Sequence, residues 1–202
     1  MNIGTKSLLF GAHWPLHNVA VTLAWKWLYG TWPTVRELAA IVLHDVGYVG
    51  CPEMDGPVGT THPRLGAEIA RHMLGEDMAR LIEGHSKGFA EAFGLPLSRL
   101  YGPDKCSHMF EPICWYVFRT RLTGELKMYR SMNHGASPRN NDSTILDTEW
   151  FRIIRLRMAR AGIEHAIKTT APDGLGESQL KFADILDSVD AGARVKKGEV
   201  PA

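Results

Sequence analysis

Apolar residues recur at three- and four-residue steps along most of the chain, which is the spacing of one face of an α-helix. In residues 33–47, for example, Val35, Leu38 and Val42 share a face. The same spacing predicts helices over residues 17–30, 33–47, 62–74, 76–85, 111–132, 147–167 and 177–189. Alternating patterns typical of strands are weak throughout, so we predict an all-α protein that folds as a single-domain helical bundle.

The segments between these helices mark the loops and the end of the domain. Stretches rich in Gly, Pro or polar residues predict loops at residues 48–61, 94–105 and 133–146. We assign residues 1–170 to the helical domain and expect residues 171–202 to form a C-terminal helix and a flexible tail. A chain of 202 residues has the usual size for one such domain.

Composition narrows the possible partners and the compartment. The net charge of +1 gives no indication of a nucleic acid or a membrane, and we expect neither. Cys51, Cys106 and Cys114 form no CxxC pair, and no secretory signal precedes the helices, so we expect a cytoplasmic protein with reduced thiols. The amphipathic segment 148–168 could pack on the core or form a homodimer contact, and the sequence leaves both open.

Histidine and carboxylate residues lie at or near the ends of most of the predicted helices. One such helix end is that of the apolar run of residues 33–47, where two adjacent polar residues should be buried. The full set is His17, His44, Asp45, His62, His85 and Asp104. If the helices pack as a bundle with these ends meeting, four imidazoles and two carboxylates converge on one place.

This combination of side chains is suited to metal ions. Imidazole and carboxylate without thiolate favour Fe, Mn, Zn or Co over a structural zinc cluster. Six ligands are too many for one catalytic ion with an open position, but they suit two ions that share a bridging carboxylate. A single histidine at a helix end is more often a cap or a surface residue, so this spacing alone does not decide the matter.

Five segments carry a resemblance to a known family. They are HNVAVTLAW with His17, LHDVGY with His44 and Asp45, HPRLGAEIAR with His62, LIEGHSKG with His85, and PDK with Asp104. In this order, over residues 13–115, they resemble the dinuclear branch of the HD-domain superfamily of metal-dependent phosphohydrolases. The resemblance implies an HD-type bundle with two divalent ions. Fe or Mn is the favoured metal, and Zn, Co or Ni is the alternative. One ion would bind His17, His44, Asp45 and Asp104, and the other would bind Asp45, His62 and His85.

The resemblance also implies an activity, namely hydrolysis of a small phosphorylated metabolite, favouring a nucleotide, by a metal-bridged hydroxide. Asp45 and Lys105 would be the catalytic residues, with Lys105 as a phosphate contact. Further candidate substrate contacts are Ser86 and Lys87 beside His85, Tyr48 after the His-Asp pair, and Arg119 in a basic stretch. Tyr48 stands where many members of the family have lysine, which puts a standard phosphatase pocket in doubt.

Other interpretations remain open at this level. The same branch contains mixed-valent diiron oxygenases, resembling myo-inositol oxygenase, and Tyr48 in place of lysine is compatible with that chemistry. A binding module without turnover is a third possibility, although all six expected ligands are retained. His13 lies one turn before His17 and could compete for its role; we assign His17 because the apolar periodicity starts there, and interpret His13 as a polar neighbour.

Overall fold

A computed structural model of the chain describes residues 1–13, 15–54, 56–131 and 144–169. Within these ranges the secondary structure is entirely helical, which confirms the predicted all-α class. The elements are α1 (Ile3–Phe10), α2 (Pro15–Tyr29), α3 (Val35–Leu43), 3₁₀ turns Val46–Tyr48 and Gly59–Thr61, α4 (Pro63–Met73), α5 (Glu76–Glu83), α6 (Lys87–Phe93), α7 (Tyr101–Ser107), the 3₁₀ turn His108–Phe110, α8 (Ile113–Thr123), α9 (Glu125–Ser131) and α10 (Asp147–Thr169). No helix among the described residues combines the length and the apolar character that crossing a membrane requires.

The described helices begin and end at residues with clear local signals. Thr34 caps α3, because its hydroxyl accepts from the amide of Glu37 while the Glu37 carboxylate accepts from the amide of Thr34. Pro63 occupies the first turn of α4, where the missing N–H costs no helical hydrogen bond. The predicted helix at 177–189, the tail of 171–202 and most of the loop at 133–146 lie outside the described residues.

Two sequence predictions about local structure were wrong. The helix predicted over 111–132 is divided into α8 and α9 at Gly124, whose φ of 85° ends the first helix in a left-handed cap. The loop predicted at 94–105 contains the start of α7, so Asp104 lies inside a helix instead of before one. Only seven residues long and containing Gly102 and Pro103, α7 is too short for a helical period to show in the sequence.

The main apolar core lies where α2, α7 and α10 pack together. Trp25 and Leu28 of α2 are buried against Leu100, at the start of α7, and Ile163 of α10. A second cluster joins α3 to α4 and α5 through small buried residues such as Ala40 and Ala70, together with Ile82. These two cores bring the C-terminal ends of α3 and α5 close to the start of α2 and the middle of α7.

Two glycines allow α7 and α10 to approach closely. A Cβ atom at Gly162 would lie 2.7 Å from the carbonyl oxygen of Gly102 and 3.0 Å from the sulfur of Cys106. A Cβ at Gly102 would in turn lie 3.1 Å from the carbonyl oxygen of Gly162. The backbone contact between these helices therefore requires glycine, and it fixes the position of α7 and hence of Asp104.

The Gly102–Gly162 contact leads to a test of how the fold supports Asp104. Gly162→Val should push α7 away from α10 and lower the free energy of unfolding by about 1–3 kcal/mol, as overpacking of a core does. Thermal unfolding followed by circular dichroism measures the effect. Lys168→Val places the same side chain at an exposed position of the same helix, and equal melting temperatures for the two variants would contradict the proposed contact.

Candidate metal centre

Four imidazoles and two carboxylates, distant along the chain, lie together at one end of the bundle. His17 comes from α2, and Asp104 comes from α7. The others lie directly after α3 (His44 and Asp45), directly before α4 (His62) and just after α5 (His85). All six are buried. The structure thus brings together all the residues that the sequence suggested as metal ligands.

One group of donor atoms surrounds the Oδ2 atom of Asp45. His44 Nε2 lies 2.9 Å from this oxygen, and His17 Nε2 lies 3.5 Å from it. The Oδ1 atom of Asp104 is 3.2 Å from His17 Nε2 and 3.7 Å from His44 Nε2. Ligand atoms bound to one ion at about 2.1 Å lie roughly 3 to 4 Å apart, so these separations fit a single ion.

A second group surrounds the other oxygen of Asp45. The Nε2 atoms of His62 and His85 each lie 3.5 Å from Asp45 Oδ1, and they lie 3.1 Å from each other. The two oxygens of one carboxylate therefore face two separate groups of imidazoles. This is the arrangement expected of a carboxylate that bridges two ions.

Three of the histidines are oriented by the same local contact. The Nδ1 atoms of His44, His62 and His85 lie 2.5, 2.8 and 2.5 Å from the carbonyl oxygens of Ile41, Gly59 and Ile82. Each carbonyl is three residues earlier, in a helical turn that ends at or next to the histidine, where fewer backbone amides compete for it. The carbonyls of Gly59 and Ile82 also accept the backbone amides of His62 and His85. A carbonyl can only accept, so each Nδ1 carries the proton and each Nε2 presents a lone pair to the centre.

Several of these inward-facing atoms have no hydrogen bond within the described part of the chain. They are Nε2 of His17, Nε2 of His44 and Oδ2 of Asp45, and all three are buried. An unsatisfied buried acceptor costs about 1–3 kcal/mol and a charged one costs more. A cation in contact with these atoms would remove that cost, and the buried His/Asp cluster can hold a metal ion.

The charges at the centre also fit a cation. Burial acts to raise the pKa of Asp45, but contacts led by the imidazole of His44 outweigh it and hold that pKa well below its usual range. Burial acts to lower the pKa of His44, but the carboxylates of Asp45 and Asp104 raise it to about 10. The two carboxylates thus favour positive charge at this position. A metal ion bound to Nε2 of His44 would supply that charge, since imidazole binds metals in its neutral form.

Five of the six residues of the centre, all but His44, line a cavity of about 500 Å³. Three cationic residues, Lys87, Lys105 and Arg157, line the same cavity. Further lining residues come from α8, α9 and α10, and we call them the aromatic wall: Tyr116, Tyr129, Trp150, Phe151, Ile154 and Met158. The rings of Tyr116 and Phe151 are stacked, with centroids 3.6 Å apart. The cavity thus combines the polar centre with cationic and aromatic residues.

Four of the five predicted substrate contacts line this cavity: Ser86, Lys87, Tyr48 and Lys105. Lys105 Nζ lies 2.8 Å from Asp104 Oδ2, and this carboxylate raises the pKa of Lys105 to about 12, although burial acts in the opposite direction. Lys105 is therefore a cation held at the edge of the centre. The ring of Tyr48 stacks on His62 with centroids 4.1 Å apart, and also contacts His13.

The suggestion that Arg119 contacts the substrate does not agree with the structure. Arg119 is buried and is not among the described residues that line the cavity. Its guanidinium instead contacts the carboxylate of Glu111 and the carbonyl of Gly11. The sequence showed a basic stretch but not the partners of each residue, and the nearby cations Arg121 and Arg130 are likewise paired, with Asp147.

Other residues of the cavity could not be assigned from the sequence. The aromatic wall comes from helices that begin after the last ligand, and its residues have the spacing of ordinary core positions. His108 also lines the cavity, with its ring 5.9 Å from that of His17. His13 was interpreted as a polar neighbour, and its Nε2 atom lies 3.8 Å from Asp45 Oδ2.

Comparison of the chain with protein-family models, with curated proteins and with solved structures finds no match in any of the three. The likeness to HD-domain proteins therefore rests on the motifs of the sequence alone. The geometry of the site is independent of that likeness.

The stacking of Tyr48 on His62 leads to a prediction about metal binding. Tyr48→Ala should free the His62 ring and weaken binding of an ion at the His62–His85 side about 10-fold, as loss of an orienting neighbour does. Titration of the metal-free protein with Co²⁺, followed by its absorption spectrum, measures the affinity. Tyr48→Phe keeps the stacked ring, and an equal loss in both variants would show that the stack does not orient His62.

Proposed function

We propose that the protein is a metal-dependent phosphohydrolase that acts on a small phosphorylated metabolite, with a nucleotide as the favoured substrate. The observation that carries the proposal is the position of the Asp45 carboxylate. Asp45 directs one oxygen toward His17 and His44 and the other toward His62 and His85, and it lines a cavity that also contains the cation Lys105.

The metal centre has the chemistry needed to bind a phosphate ester. When bound, two divalent ions supply a Lewis acid for a phosphoryl oxygen and lower the pKa of a bound water toward about 7. Lys105 adds positive charge beside Asp104 and would bind a remaining phosphoryl oxygen. Lys87 also lines the cavity, where its ammonium group lies 3.6 Å from the carboxylate of Glu91. Because Asp104 holds the ammonium group of Lys105 at 2.8 Å, this cation is oriented before the substrate binds.

The aromatic wall supports a substrate with an organic group of appreciable size. Tyr116, Trp150 and Phe151 line the cavity, and aromatic side chains pack well against planar rings. A phosphate alone would leave this part of the cavity to water. A phosphate attached to a base or another planar group could contact both the metal centre and the aromatic wall. This is the reason that a nucleotide is favoured.

The diiron oxygenase alternative uses the same ligands, and the position of Tyr48 supports it in part. Tyr48 occupies the cavity beside His62 and provides no cation there. Lys105, however, brings positive charge to the centre from another element, since its Nζ atom lies 2.8 Å from Asp104 Oδ2, and binding of phosphate requires such a cation. The proposal therefore remains hydrolysis, and the oxygenase is an outcome of the test.

The function can be tested with protein purified without chelators. We expect close to two divalent ions per chain and release of phosphate from a panel of nucleotides when Mn²⁺ or Co²⁺ is added. His62→Ala should lose one of the two ions and slow phosphate release by about 100-fold or more, because one side of the centre is dismantled. Metal analysis and a phosphate assay measure the two effects.

A matched control lies on α4, the helix that begins directly after His62. His72 is exposed near the end of α4, so His72→Ala should keep both ions and full activity. Oxygen consumption with iron, together with the EPR signal of a mixed-valent pair and no phosphate release, would favour the oxygenase. Absence of bound metal in the purified wild-type protein and after addition of Mn²⁺ would contradict both functions.

The aromatic wall leads to a separate prediction about substrate size. Ile154→Trp should fill part of the wall side and raise the KM for a nucleotide about 10-fold, while the KM for methyl phosphate stays unchanged. Steady-state kinetics with both substrates tests this expectation. Arg152→Trp adds the same ring to the exposed side of α10, and it should affect neither KM. Equal effects of Ile154→Trp on both substrates would contradict the assigned position of the organic group.

A further inference from the structure

A buried carboxylate outside the metal centre is linked by two hydrogen bonds to His13, which lies beside the centre. Glu125, at the start of α9, is fully buried. Its Oε1 atom accepts a hydrogen bond of 2.5 Å from the hydroxyl of Ser7 in α1. The same serine oxygen lies 2.7 Å from Nδ1 of His13, and Nε2 of His13 lies 3.8 Å from Asp45 Oδ2. We call this series of residues the Glu125–Ser7–His13 relay.

The relay determines which nitrogen of His13 carries the proton. A serine hydroxyl has one proton, and that of Ser7 is donated to Glu125. The oxygen of Ser7 can therefore only accept at its other positions, where the Nδ1 and the backbone amide of His13 meet it. It follows that Nδ1 of His13 is the protonated nitrogen, and that Nε2 presents a lone pair.

The surroundings of Glu125 are built to keep its carboxylate in this position. The amide of Ala12 donates to both carboxylate oxygens, and the hydroxyl of Thr123 donates to Oε2. A Cβ atom at position 11 would collide with Oε2 and lie 2.7 Å from the Cα atom of Ser7, so the close approach of the chain there requires Gly11. Removing the carboxylate would leave these buried donors without an acceptor, which is costly.

His13 differs from the ligand histidines in one informative way. The Nε2 atoms of His17 and His44 are buried among the other donor atoms. The side chain of His13 instead remains 18% exposed and lines the cavity. Its lone pair thus faces the space in which substrate and water would lie, next to the bridging carboxylate.

We propose that the Glu125–Ser7–His13 relay makes Nε2 of His13 a fixed hydrogen-bond acceptor in the cavity, which orients the attacking water through one of its hydrogens. The tautomer follows from the relay alone, whereas the role toward water rests on the proposed hydrolase function. His13 is accordingly a catalytic residue, and Ser7 and Glu125 are positioning residues that act through it.

The first measurement tests the relay without any activity. In metal-free protein labelled with ¹⁵N histidine, the NMR signals of His13 at pH 7.5 should show a protonated Nδ1 and an unprotonated Nε2. In Ser7→Ala the acceptor for Nδ1–H is lost, so the opposite tautomer should become populated. Glu125→Gln provides a second variant. The amide group of Gln can donate to the oxygen of Ser7, which frees the Ser7 hydroxyl to donate to Nδ1 of His13. This variant should therefore also favour the opposite tautomer. A protonated Nε2 in the wild-type protein, or a tautomer unchanged in both variants, would overturn the inference.

The second measurement tests the role of Nε2. His13→Ala should keep the wild-type metal content and lower kcat for phosphate release about 100-fold, within the range usual for one acid–base or orienting group. His13→Gln offers a carbonyl acceptor and should recover part of kcat. Ser107→Ala is the contrasting variant, because Ser107 contacts Nδ1 of the ligand His17 at 3.5 Å, and this variant should lower metal affinity instead.

The outcomes separate this inference from the function on which it rests. Loss of metal in His13→Ala, or full kcat with the metal retained, would overturn the assigned role. A wild-type protein that binds metal and shows the expected tautomer but hydrolyses no phosphate ester would contradict the hydrolase function, while the tautomer set by the relay would stand.

Discussion

Burial of the Asp45 carboxylate among four imidazoles is the interaction on which the rest of this structure depends. A buried anion must be compensated, and here each of its oxygens faces the Nε2 atoms of two histidines. Those histidines come from four separate parts of the chain, so the helices that carry them must pack around this carboxylate for the centre to form. The packing of the bundle and the composition of the centre are thus two aspects of one constraint.

The orientation of the ligands arises from simple local chemistry. His44, His62 and His85 each direct Nδ1 to a carbonyl three residues earlier, at a place where a helical turn ends. A histidine next to a helix end therefore has its tautomer set by its own backbone. His17 and His13 lie within or just before α2, and for them no contact of this kind is found in the described part of the chain. Serine hydroxyls from other helices occupy the corresponding position.

The cavity combines contributions of different origin. Two of its cationic residues are close in sequence to the ligands, since Lys87 lies two residues after His85 and Lys105 directly follows Asp104. The aromatic wall comes from α8, α9 and α10, which pack beside α7 and α1. The close backbone contact of Gly102 with Gly162 holds α10 against α7. As a result, a helix without a ligand determines how much room remains for the organic part of a substrate.

The sequence by itself determined the all-α class, most of the long helices and the six residues that meet at the centre, because helical periodicity and the positions of histidines at helix ends are local features. It did not determine the break at Gly124, the short helix that carries Asp104, the pairing of Arg119 with Glu111, or the aromatic wall. The sequence did not indicate the Glu125–Ser7–His13 relay either, since Ser7 and Glu125 are 118 positions apart. Only the tertiary structure decided these points, because each depends on contacts between helices that are distant along the chain, and no short-range pattern records such contacts.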